Sequence, residues 1–191
     1  MSLFQGFFDS LKPYSYTSSD DQRAKVRDIH PTEFDIKSQV KFLSAKYVIR
    51  AELIGAIIAQ ESSGNTLAKR YEPAFYDRYI VFRGANTLMG FVPPKMPLQT
   101  EKTNRSTSWG LMQVMGETAR EIGFNEDCFE ALLIPARGLE FGCRLFNQLW
   151  KKHHSNETLA LLAYNGGGNK EYPAQVLKRI ETGECYKYCD R

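Results

Sequence analysis

Leu53-Ile-Gly-Ala-Ile-Ile-Ala-Gln-Glu61-Ser-Ser-Gly-Asn65 is the stretch on which the reading of this chain turns. Leu53, Ile54, Ile57 and Ile58 recur at i, i+1, i+4 and i+5, the spacing of one face of an amphipathic helix. Ser62, Ser63 and Gly64-Asn65 stop that helix. Glu61 stands four residues after Ile57 and seven after Ile54, so on a 3.6-residue repeat it shares their direction. A carboxylate in that position loses hydration and lies at the negative end of the helix dipole. Both effects favour the protonated form and raise the pKa, as a general acid working near neutrality requires. A frayed helix end with Glu61 turned to solvent fits the same pattern, and the residue alone does not choose between the two.

Working outward, Phe34, Ile36, Val40, Phe42 and Leu43 predict a helix from about Glu33 to Lys46-Tyr47. The turn-rich run Tyr14 to Asp21 marks what precedes it as an arm. Residues 66–108 read as irregular: Val81-Phe82 suggests a short strand, and Pro93-Pro94, Pro97 and the polar run Thr100 to Ser108 suggest loops. Four helical patterns follow, at Gly110 to Ile122, about Pro135 to Lys152, Glu157 to Tyr164 and Pro173 to Ile180. The expected fold class is mainly α (α+β), a helical domain with a small irregular or β insertion after the Glu61 helix. The expected organisation is an N-terminal arm or accessory helix (1–44), one domain (45–182) and a C-terminal tail (183–191).

Composition narrows the function classes. The 191 residues are 42% hydrophobic and 25% charged, which suits one globular domain with appendages. A net charge of +3, spread evenly, gives no concentrated basic face, so nucleic acid is not an expected partner. The longest mainly apolar stretch, Leu53 to Ala59, is far short of the roughly 20 residues of a membrane span. Cys128, Cys143, Cys185 and Cys189 form no CxxC pair, and His30, His153 and His154 lack zinc-finger spacing, so they are read as plain thiols and imidazoles with no metal site. Cys185 and Cys189 stand close enough in sequence to pair in an oxidising compartment. No basic n-region or apolar h-region is visible at Met1-Ser-Leu-Phe. A monomer without cofactor is expected.

Two further segments carry chemistry. In Ser108-Trp-Gly-Leu-Met-Gln-Val-Met115, Met112 and Met115 sit at i, i+3 and suit either core filling or a substrate surface, while the Gln113 amide can hold a sugar hydroxyl. In Leu161-Leu-Ala-Tyr-Asn-Gly-Gly-Gly168, Tyr164 and Asn165 end an apolar helix before a flexible turn, either as ordinary caps or as the rim of a cleft. In this order, Glu61-Ser62, Gly110-Leu-Met-Gln113 and Ala163-Tyr-Asn-Gly166 resemble the motifs of the soluble lytic transglycosylases of glycoside hydrolase family 23, over about residues 45–180. The resemblance implies a lysozyme-like fold, shared with goose-type lysozymes, and peptidoglycan glycan strands as the partner. It implies cleavage of the β-1,4 bond from N-acetylmuramic acid to N-acetylglucosamine with 1,6-anhydro ends, at an extracytoplasmic location (periplasm, cell surface or virion). Glu61 would then be the catalytic acid and base, with Ser62, Ser108, Gln113, Met115, Tyr164 and Asn165 lining the glycan cleft.

One departure stands out. The 48 residues between Glu61 and Gly110 exceed the insertion of compact family members. They widen one wall of the cleft or supply a second carboxylate, in Glu72 or Asp77, such as an inverting hydrolase places about 6.5 to 9.5 Å from its acid. Glu101 and Glu117 are further candidates for that role, and an ordinary loop salt bridge is the competing reading of Glu72. A non-catalytic glycan-binding protein of the same fold is the alternative from another function class.

Overall fold

The computed structural model describes residues 35–191. The expected N-terminal arm (1–44) therefore lies outside the described residues, apart from its last ten positions. Helix α1 (Ile36–Tyr47) starts on Asp35, whose carboxylate accepts from the Lys37 backbone N–H at 3.0 Å, and ends on Val48 in the left-handed region at φ 55°. It crosses the boundary expected after residue 44. Helix α2 (Ala51–Glu61) follows at once.

The sequence predicts one apolar face on α2, and the structure corrects this. Every residue from Leu53 to Ala59 is buried, so the helix is wrapped on all sides. Its small residues allow that wrapping. A Cβ at Gly55 would come within 2.6 Å of the Cys185 carbonyl oxygen, because the 3-10 turn Glu184–Lys187 packs directly on α2. Residues 183–191 thus close over the core, with Cys185 and Cys189 buried. All four cysteines are free thiols, and Cys189 Sγ donates to the Cys185 carbonyl at 3.4 Å.

A three-stranded antiparallel sheet in the order β1-β2-β3 follows: β1 (Lys69–Tyr71), β2 (Thr107–Trp109) and β3 (Val114–Met115). Three expectations change here. The helix expected over Gly110 to Ile122 begins only at Gly116, as α4 (Gly116–Glu121), because Ser108 and Trp109 pair with Met115 and Val114 across a hairpin. Gly110 at φ 71° and Gln113 at φ 47° make its turn, with the Gln113 N–H donating to the Gly110 carbonyl at 3.1 Å. The strand expected at Val81-Phe82 is instead the exit from a π-helical turn, Tyr76–Ile80, and Phe82 is exposed. The loop expected over Thr100 to Ser108 is mostly helix α3 (Leu98–Arg105), whose inward residues are charged rather than apolar.

Those inward charges form a buried network. Arg105 Nε donates to Glu101 at 2.9 Å and its Nη1 to Glu117 at 2.7 Å, while Arg120 Nε reaches Glu101 at 3.0 Å. Arg105 also holds the carbonyls of Met89 and Phe91, fastening the residue 81–97 loop to α3 and α4. The longer helices toward the C-terminus are α5 (Pro135–Lys152), α6 (Glu157–Tyr164) and α7 (Tyr172–Glu181), and all three match the sequence expectation to within a residue. Asn156 caps α6 by accepting from the Leu159 N–H at 3.0 Å. The result is the mainly α, lysozyme-like fold, with its small sheet placed after α2.

Candidate active site

Glu61 is the last residue of α2, where the buried helix reaches a cleft of about 810 Å³. Three elements converge on it. The sheet contributes one rung: Arg70 pairs in register with Ser108 and Ser108 with Met115, and all three line the cleft. The row follows from pleating, since directly opposed residues in neighbouring strands share a face. The hairpin turn contributes Gln113, and the end of α6 contributes Tyr164 and Asn165.

Burial dominates the electrostatics of Glu61, pushing its carboxyl above the ordinary carboxylate pKa. A hydrogen bond donated by the Tyr172 hydroxyl, and the Arg70 charge, pull the other way without cancelling it. Tyr172 is 2% exposed, and its own hydroxyl is held far above the usual phenol pKa by burial and by Glu61.

Ser62 and Asp77 do not line the cleft, whereas Glu61, Glu72, Ser108, Gln113, Met115, Tyr164 and Asn165 do. Ser62 Oγ donates to the Leu111 carbonyl at 2.8 Å, tying the end of α2 to the Gly-Leu-Met-Gln turn. The Tyr164 hydroxyl is likewise committed to that turn, donating to the Met112 carbonyl at 2.7 Å. Gln113 Nε2 donates to the carbonyls of Ala68 and Gly110, so its Oε1 is the amide atom left for a ligand. Met112 is fully buried against Gly142, while Met115 lines the cleft. Glu72 lines the cleft with its carboxylate held by Arg70 Nε at 2.5 Å. Glu101 and Glu117 are locked in the arginine network described above and do not line the cleft.

Sequence reasoning missed Tyr172, Arg70 and Glu121. Tyr172 lies 111 residues from its partner, and its one local signal is a tyrosine directly before the helix-starting Pro173. Arg70 becomes visible only once β1 is paired with β2. Glu121, at the end of α4, also lines the cleft, and burial followed by the nearby Glu117 raises its carboxyl pKa.

A carboxyl whose pKa is raised by burial, at the end of a buried helix beside a cleft of about 810 Å³ in a lysozyme-like fold, is the arrangement of a lysozyme-class domain. The chain belongs to the transglycosylase SLT domain family, whose sequence model matches residues 38–179. It is thus a lytic transglycosylase-type domain that acts on peptidoglycan. No solved structure matches the chain. Among the described residues no helix is long and apolar enough to cross a membrane.

Proposed function

We propose that the chain cleaves the β-1,4 bond from N-acetylmuramic acid to N-acetylglucosamine and leaves 1,6-anhydromuramoyl ends, with Glu61 as general acid and then general base. The observation that carries this reading is Glu61 itself, lining the cleft, with burial raising its proton affinity. Protonated Glu61 donates to the glycosidic oxygen as the C1–O bond breaks and positive charge develops at C1. The resulting carboxylate accepts the proton of the muramoyl C6 hydroxyl, whose oxygen closes on C1. Atoms and charges balance, and Glu61 ends as it began. The nucleophile is tethered to the sugar it attacks, so most of its entropic cost is met before reaction. Proton transfer by one positioned group accounts for about 10² to 10⁴-fold, and sugar distortion with cleft hydrogen bonds accounts for the rest.

Tyr172 acts as a positioning residue: its O–H bond fixes the carboxyl orientation and steadies the carboxylate formed halfway through. Gln113 Oε1 and Asn165 are the polar atoms placed to take sugar hydroxyls or acetamido groups. Hydrolysis through a second carboxylate is less well supported. Glu72 is bound by Arg70, Asp77 does not line the cleft, and Arg70 is the charge that bears on the Glu61 pKa, with no contribution from the cleft-lining Glu121. The reaction places the protein's work outside the cytoplasmic membrane, where peptidoglycan lies.

The test is clearing of purified cell walls by wild type and by Glu61→Gln, with mass analysis of the released muropeptides. Wild type is expected to clear them and release anhydro ends. Glu61→Gln, folded to the same circular-dichroism spectrum, is expected not to. Products heavier by one water assign hydrolysis instead, and equal clearing by the variant removes Glu61 from the chemistry.

A further inference from the structure

Ten arginines lie among residues 35–191, and eight of them make an ion pair with a carboxylate. The two without one among the described residues are Arg191, at the end of the chain, and Arg78. Arg191 does not line the cleft and lies over the Tyr186 ring at 5.3 Å. Arg78 does line it, with its guanidinium 5.9 Å from the Tyr79 ring centroid.

The segment that carries Arg78 is built rather than loose. The Val81 N–H donates to the Tyr76 carbonyl at 2.9 Å, closing a π-helical turn, a form frequent at functional sites. Gln99 Nε2 donates to the Tyr76 hydroxyl at 2.7 Å and Lys102 Nζ to the Val81 carbonyl at 3.0 Å, so α3 fixes both ends of the turn. Ile80 is fully buried beneath it, and Phe75 packs on Tyr79 with ring centroids 4.9 Å apart. An arginine fork in a substrate cleft matches a carboxylate, to which it donates two parallel hydrogen bonds. The neighbouring Glu72 does not supply that carboxylate, because Arg70 holds it.

We propose that Arg78 determines substrate specificity, its guanidinium taking a carboxylate from the lactyl-peptide branch of the glycan. Charged strands then bind in preference to neutral β-1,4-linked N-acetylglucosamine chains. This rests on the reading of the cleft as the glycan site. It also accounts for the long segment between Glu61 and Gly110, which brings a cation and the rings of Phe75 and Tyr79 to the cleft.

The experiment compares wild type, Arg78→Gln, Arg78→Lys and Arg191→Gln on three substrates: peptide-bearing walls, strands stripped of peptide by an amidase, and a neutral N-acetylglucosamine oligomer assayed for binding. Arg78 is exposed, so Arg78→Gln is expected to raise KM on charged strands roughly fivefold with kcat unchanged, the scale of one exposed ion pair. Arg78→Lys should recover part of that loss and Arg191→Gln should show none. Binding of the neutral oligomer should stay the same throughout. A loss confined to peptide-bearing walls assigns a stem-peptide carboxylate, a loss confined to stripped strands assigns the lactyl carboxylate that the amidase frees from its amide, and a loss on both shows that the guanidinium takes either. An unchanged KM for Arg78→Gln on both charged substrates overturns the proposal, as does an equal loss on the neutral oligomer. A wild type that releases no muropeptide at all overturns the parent reading, and this one with it.

Discussion

Glu61 is held between opposing influences of unequal size. Burial raises its proton affinity, while the Tyr172 hydroxyl and the Arg70 charge lower it. A raised folded-state pKa means that the protonated form stabilises the fold below the unfolded value of 4.5, and that this contribution is lost as pH rises through the folded value. Activity that needs the proton follows the same limb and declines with rising pH. Tyr172→Phe removes the donor, so the carboxyl pKa rises further and the alkaline limb of kcat/KM should move to higher pH. The fold should lose only about 1 kcal/mol, the net worth of one hydrogen bond. A pH–rate profile checks this, and an unmoved limb would leave Tyr172 a purely structural role. Glu61 was legible in the sequence because its neighbours in the same helix set its direction. Tyr172 was not, because a partner 111 residues distant leaves no periodic trace.

At the scale of elements, the helices that bury apolar side chains were legible and the rest were not. Helices α5 and α6 announce themselves through periodicity, Pro135 at the first turn and Asn156 at the cap. The sequence predicts loop over most of β2 and helix over β3, because strands of two or three residues carry no usable alternation and pairing between distant strands decides them. Gly110 is the residue that forces this turn. It adopts φ 71°, and a Cβ there would meet the Leu132 carbonyl oxygen at 2.3 Å. Gly110→Ala should therefore cost about 1 to 3 kcal/mol in urea unfolding through overpacking alone, with positive-φ strain added. It should lower activity as well, because the turn carries Gln113 and anchors Ser62 and Tyr164. Unchanged stability would show that the turn relaxes freely.

Across the whole molecule, the insertion between α2 and the hairpin is held by charge where a larger core would be expected. Glu101, Arg105 and Arg120 are fully buried or nearly so, with Glu117 beside them, and every one is partnered. This pattern hid α3 from sequence reading, because a polar run normally marks a loop and here it faces inward. Burying ions is costly in itself, but removing one partner costs more, since it strands the others. Glu101→Gln leaves Arg120 without a counter-charge and Arg105 with Glu117 alone, and should destabilise the fold by about 3 to 5 kcal/mol. Arg50→Gln, which breaks the partly exposed pair with Glu157, should cost no more than about 1 kcal/mol. Chemical denaturation of both variants checks the contrast, and similar losses would refute a special role for the buried network.

The proton at Glu61 decides the chemistry, and carboxyl-carbon NMR titration of that side chain in the folded protein reads it directly. A midpoint clearly above 4.5 is the predicted result. A midpoint at or below 4.5 would mean a hydrated, ionised carboxylate at the end of α2 and would contradict its role as proton donor.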